Sequence, residues 1–239
     1  MKKSFRYSGV FAAAALIAFL LAACPMYNDI DTNGVPKFVS VNYIDLSQTN
    51  GLGQPLINEI SRFRSSEGHD YSDDFESNRS MKHYFRYPNS QTKVFAPVSG
   101  TLTLCEKENY ENSGYQIHVS SELYPAFKFI IFHVEPIKNF VFGEKVTAGQ
   151  VLGFHTKNVN VGSSDIAVRV YTSKGERLVS YFETLTPEAL KPYTDRYGGN
   201  FLEDVIISKE ERDEHPLHLA GKDSFADADL DPLDGWVTF

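Results

Sequence analysis

Histidines and carboxylates at short spacing are the residues here that could do chemistry. In Gly68-His69-Asp70-Tyr71-Ser72-Asp73, a histidine and an aspartate stand four residues apart. Imidazole nitrogen and carboxylate oxygen both ligate zinc, so His69 and Asp73 form a candidate metal pair on one loop. His133 closes the apolar run Phe127-Lys128-Phe129-Ile130-Ile131-Phe132, a position from which an imidazole can act as general acid or base at a site mouth. His215 and His218 also have metal-like spacing, but they sit in an acidic stretch with no cysteine partner and read as surface residues. Cys105 lies in the strand-like Leu102-Thr103-Leu104-Cys105 and reads as an inert, buried thiol.

The elements that must position these residues are short strands. Of 239 residues, 18 are Phe and 13 are Tyr, and aromatic side chains favour strands. Runs rich in β-formers cover 93–95, 100–106, 115–120, 127–133, 151–156, 166–171 and 178–181, and turn residues separate them. The run 127–133 is apolar almost throughout, as a strand covered on both faces must be. After these, Thr186-Pro187-Glu188 starts a helix: an N-cap threonine, proline in the first position and an acid in the first turn. That helix is expected to stop at Gly198-Gly199, with a second helical segment over 200–214 and an acidic tail to Phe239 that docks back on the domain.

The chain start has a different purpose. Lys2, Lys3 and Arg6 precede an uncharged run from Val10 to Ala23, the layout of a secretory signal. The run ends Leu21-Ala22-Ala23-Cys24, which resembles a bacterial lipobox. The resemblance implies lipidation of Cys24, a membrane anchor and a place in the bacterial cell envelope, on the outer membrane where the host has two. Residues 24–239 then carry 20 basic and 31 acidic side chains. Such an acidic chain is a poor partner for nucleic acid. The expected organisation is a signal over 1–23, an anchored tether over 24–60, a β domain over 61–185, and a helical, acidic extension over 186–239.

Ala96-Pro97-Val98-Ser99-Gly100-Thr101-Leu102, followed by Gly143-Glu144-Lys145-Val146-Thr147-Ala148-Gly149-Gln150-Val151-Leu152-Gly153, has a form shared by biotinyl carriers, sugar phosphocarriers and zinc endopeptidases. A carrier needs a modifiable lysine at a hairpin tip between these segments; Lys107 and Lys128 do not stand in such a turn. With His-x-x-x-Asp at 69–73 upstream, the order resembles the lysostaphin-type (LytM-like) zinc endopeptidases over residues 65–185. That implies a mainly β fold, an antiparallel β-sandwich of the lysostaphin-like, duplicated-hybrid-motif kind. It implies zinc on His69 and Asp73, a catalytic role for His133, and the peptide bridges of peptidoglycan as substrate.

One departure bears on all of this. The family ends its site with His-x-His on a late strand, the first histidine catalytic and the second the third zinc ligand. Here Asp165 and Ala167 take those places. Alanine cannot ligate, and a hydrolytic zinc needs about three protein ligands and a water. Two readings follow. In one, the domain binds cell wall or a wall-hydrolase partner without catalysis. In the other, zinc is held by a rebuilt set that adds Asp165, His155, His133 or His83. A second departure is the inserted stretch 74–85, in which Glu76, Arg79, His83 and Tyr84 are expected to line a ligand groove.

Overall fold

The computed structural model describes residues 28–109, 112–158 and 161–239. The signal run and Cys24 lie outside the described residues. A four-residue helix α1 (Ile30–Asn33) precedes the strands β1 (Glu59–Ser61), β2 (His83–Arg86), β3 (Lys93–Phe95), β4 (Gly100–Lys107), β5 (Tyr115–Ser121) and β6 (Phe127–Pro136). Then come β7 (Lys145–Val146), β8 (Val151–His155), β9 (Ser163–Thr172) and β10 (Gly175–Val179). Helices α2 (Tyr181–Thr184), α3 (Pro187–Tyr197), α4 (Phe201–Asp204) and α5 (Lys209–Glu214) follow, and β11 (Trp236–Thr238) closes the chain.

Pairing between these strands is antiparallel, in the order β11-β1-β2-β9-β6-β5-β4-β7. The β-rich core expected from the aromatic, turn-punctuated sequence and the antiparallel pairing implied by the resemblance are therefore both observed. Strand β6 divides its pairing: Phe127–Ile131 lies against β9, whereas Val134–Pro136 lies against β8, which in turn carries β3. Residues 132 and 133 fall between the two halves. There β6 holds one residue more than β5, since Ile131 pairs with Ile117 but Val134 with Tyr115. This bulge sets His133 at φ 62°, a left-handed conformation that side chains seldom adopt.

Strand alternation divides the core. On β9, Ile166, Val168 and Val170 enter the main cluster with Phe85, Phe127, Phe129, Ile131 and Leu152. Ala167 points to the opposite face, into a smaller cluster with Phe63, Met81, Ile130 and Leu178. The loop over 62–82 covers this second face and carries the candidate site. Helix α3 forms as its sequence predicts, capped by the Thr186 hydroxyl and stopped by Gly198 at φ 71°. The expected second helical segment divides into α4 and α5. The C-terminal stretch docks as an edge strand, Val237 opposite Ile60, and the fully buried Arg212 ties it down through Asp231.

The segment expected as a tether behaves differently. From Asn28 onward it lies on the domain: Val39 bridges to Leu185 and Ile44 to Val94, and Tyr43 is completely buried against Phe85 and Tyr181. Isolated bridges rather than a regular strand hold this stretch. The reason is visible in the residues. Val39, Tyr43, Ile44 and Ile57 are too irregularly spaced to show a period, yet each fills a gap at the sheet margin. Tyr43→Ala should therefore destabilise the protein by about 3–5 kcal/mol, as for other large aromatic truncations in a core. A loss of less than about 1 kcal/mol, from the urea midpoint shift multiplied by the m-value, would show Tyr43 to be dispensable to the fold.

Candidate functional site

Strand register places the site. Tyr84 of β2 lies opposite Asp165 of β9 and His83 opposite Ile166, so one further step in that register sets Lys82 beside Ala167. The small methyl of Ala167 leaves room for the long lysine side chain, which turns into the second face. Lys82 Nζ lies 3.0 Å from Asp165 Oδ2. It also lies 4.4 Å from the ring centre of Phe132, 4.6 Å from Tyr84 and 5.4 Å from Tyr71. An ammonium is thus caged by one carboxylate and three aromatic faces. Both charged groups are buried, 2 % and 1 % exposed.

Asp165 is shared. His133 Nε2 lies 3.3 Å from the same Oδ2, and the Ser163 hydroxyl donates to Oδ1 at 2.7 Å. On its other side His133 Nδ1 meets Glu108 at 2.7 Å, while Glu108 also accepts from the His133 backbone N–H at 2.7 Å. One carboxylate therefore grips both the ring and the strained backbone of the bulge. The result is a chain of alternating charge, Lys82, Asp165, His133, Glu108. Burial acts against the charge on each of the first three, and their partners override it. Lys82 is held above the usual lysine value by Asp165. Lys82 and His133 hold Asp165 well below the usual carboxylate range. Hydrogen bonds to Asp165 and Glu108 push His133 up to about 10.

These residues floor a groove of about 460 Å³, walled by Glu106, Lys107 and Gln116 on one side and His69, Tyr84 and Gly162 on the other. Gly68 is needed at its rim: at φ 73° a Cβ there would sit 2.1 Å from the Tyr84 hydroxyl.

The sequence-predicted metal pair does not converge. The Asp73 carboxylate accepts from the backbone amides of Phe75, Glu76 and Leu178 at 2.8–2.9 Å, so it closes a turn and ties it to β10. His69 lies on the groove, with Nδ1 2.9 Å from the Asp70 carbonyl; burial, then the Lys82 charge, lowers its pKa. His83 is buried in the main body between the Ser61 carbonyl and the Ser180 hydroxyl, and His155 faces the Val161 carbonyl. Among the described residues no group of three His, Cys, Asp or Glu side chains is arranged to hold a metal ion. The donors present do not fit a hydrolytic zinc. Asp73 has its oxygens engaged, Ala167 has none, and the ammonium of Lys82 is already bound to Asp165 where a dication would compete.

Of the four residues expected to line the groove, Tyr84 does so. Glu76 and Arg79 turn away into a buried network: Arg64 and Arg79 both bind Glu76, and Arg79 reaches Asp213 of α5. Lys82, Glu108 and Ser163 were not singled out by the sequence. The available signal for Lys82 was a lone cation inside Met81-Lys82-His83-Tyr84-Phe85, a run otherwise suited to burial.

The chain is similar in fold to lysostaphin-type and LytM-type peptidases. The catalytic domain of lysostaphin from Staphylococcus simulans shares 16% identity, with a TM-score of 0.36, covering 51% of this chain and 88% of that one. A putative glycyl-glycine endopeptidase LytM from Ruminococcus gnavus shares 15%, with a TM-score of 0.33, covering 53% and 59%. A chain of the SpoIIQ–SpoIIIAH pore-forming complex shares 11%, with a TM-score of 0.36, covering 66% and 95%. This chain spans only about half of the lysostaphin chain in another such match, 52%. The sequence matches no family profile and no curated protein.

Chemically, the centre is built to stay charged. Both nitrogens of His133 donate to carboxylates and its proton is held, so it offers no free base at neutral pH. Its NMR titration should show an imidazolium persisting at pH 8, with a midpoint near 10; an ordinary value near 6.5 would contradict this geometry. Because the folded value is raised, the stabilisation is complete below about pH 6.5 and fades as pH rises toward 10. Asp165, whose value is depressed, contributes above its ordinary 3.8 and loses that contribution as acid protonates it. Lys82→Met leaves a buried carboxylate one partner short and should cost about 3–5 kcal/mol in denaturant melts at pH 7.

Proposed function

We propose that this chain is an envelope lipoprotein whose lysostaphin-type domain binds cell-wall peptide, or a wall hydrolase, in the groove without cleaving it. The observation that carries this reading is the Lys82–Asp165 pair. In this site the positive charge is a side chain of the protein itself, 3.0 Å from the carboxylate, and a covalently attached ammonium cannot polarise a carbonyl or activate water as zinc does. The order of sequence motifs supports the relation to wall peptidases. The lipobox-like end at Cys24 supports the envelope location and the anchor.

The groove retains what recognition needs. Charges of both signs, the Gln116 amide and the Phe132 and Tyr84 rings stand around one concavity. A bound peptide would meet a preorganised surface, because the interlocked charges hold the floor in one arrangement.

Two measurements on the full chain in detergent test the proposal together. Metal content by mass spectrometry after dialysis against trace zinc should show no stoichiometric metal. Cosedimentation with purified peptidoglycan, or with wall hydrolases, should show binding that Lys107→Ala weakens by about tenfold, the loss of one charged hydrogen bond. Soluble wall fragments should not appear during the incubation. About one zinc per chain, abolished in His69→Ala and accompanied by fragment release, would replace this reading with the endopeptidase one.

A further inference from the structure

The chain start is fastened to one end of the central strands, and the groove opens at the other. The Asn28 amide donates to the Tyr171 carbonyl at 3.0 Å, near the end of β9. Three residues on, Asp31 pairs with Arg177 at 3.1 Å and with Lys174 at 3.8 Å, both on the β9–β10 hairpin. The Tyr171 amide in turn donates to Ala126 in the β5–β6 turn. This end therefore consists of the β9–β10 turn, with Ser173 and Lys174, and the β5–β6 turn, where Leu123 is 67% exposed. The groove uses the opposite ends of the same strands: Ser163 and Asp165 at the start of β9, Glu106 and Lys107 at the end of β4, Gln116 at the start of β5. Eight residue steps along β9 separate Ser163 from Tyr171, about 26 Å at about 3.3 Å per step.

Only four peptide steps join Cys24 to Asn28, and an extended chain covers no more than about 14 Å in that distance. We infer that the two turns at this end rest against the bilayer that holds the Cys24 lipid, and that the groove faces away from it at a height of roughly 25–40 Å. The inference rests on the lipoprotein reading above. The occupant of this end is the lipid surface itself, because four peptide steps from a lipidated Cys24 are too few for the domain to turn over or move far from its anchor. Leu123 gives the surface an apolar contact and Lys174 a cation for anionic headgroups. The consequence for function is a fixed reach: the groove meets material lying in one layer above the membrane.

The experiment uses the full, lipidated chain in vesicles of phosphatidylethanolamine and phosphatidylglycerol, with Cys105→Ser to remove the other thiol. A fluorophore is placed on Ser173→Cys or on Lys107→Cys, and quenching by headgroup spin-labelled lipid is read. The expected result is quenching on the order of threefold stronger at 173 than at 107, since about 26 Å separates the two ends. Inserting a flexible Gly/Ser linker of about 20 residues before Asn28 should erase most of the difference. Equal quenching at both labels in a chain that floats with the vesicles would overturn the orientation alone. A chain that does not float, or that floats equally well as Cys24→Ser, would withdraw the anchor reading and this inference with it.

Discussion

A carboxylate with almost no access to water must have its charge answered from within the protein, and Asp165 imposes that demand on everything around it. Lys82 answers from just before β2 and His133 from β6, and these two strands flank β9. Each answer needs its own support. Lys82 requires the small Ala167 beside it and three rings around it. His133 requires a bulge in β6, a left-handed backbone and the grip of Glu108. The second face of the sheet is arranged around one internal charge chain, and the groove is the space above it.

The same constraint leaves this arrangement unlike a zinc centre. A zinc site works because the metal lends positive charge to a water or a carbonyl while keeping a position open. Here the charge belongs to a lysine whose own hydrogen bonds and ring contacts are satisfied within the floor. The histidine that could move protons is held as an imidazolium between two carboxylates. An imidazole at position 167 would not by itself make a metal site, because the Asp73 carboxylate closes a backbone turn and Lys82 would still lie against Asp165. Several residues would have to change together before this site could hold a metal.

The segment ahead of β1 adds a second constraint. Residues 39–60 contribute Val39, Tyr43, Ile44 and Ile57 to the core. Burying them fixes this stretch against the sheet and adds to its stability.

How much of this was legible beforehand divides along a physical line. The sequence by itself determined what local signals carry: the β-rich runs of most of the longer strands, the capped helix from Pro187 to Tyr197, and an alanine at 167 that can ligate nothing. The tertiary structure alone decided which side chains meet. Lys82 and Asp165 stand 83 residues apart, and only strand register brings them to 3.0 Å. Asp73 looked like a ligand because its spacing from His69 was right; its carboxylate turned to the amide of Leu178, 105 residues away, because an unpaired amide there would cost more than a free carboxylate gains. Spacing along a chain limits which groups can share a site, but the competition for hydrogen-bond partners that assigns each group its role takes place only in the folded state.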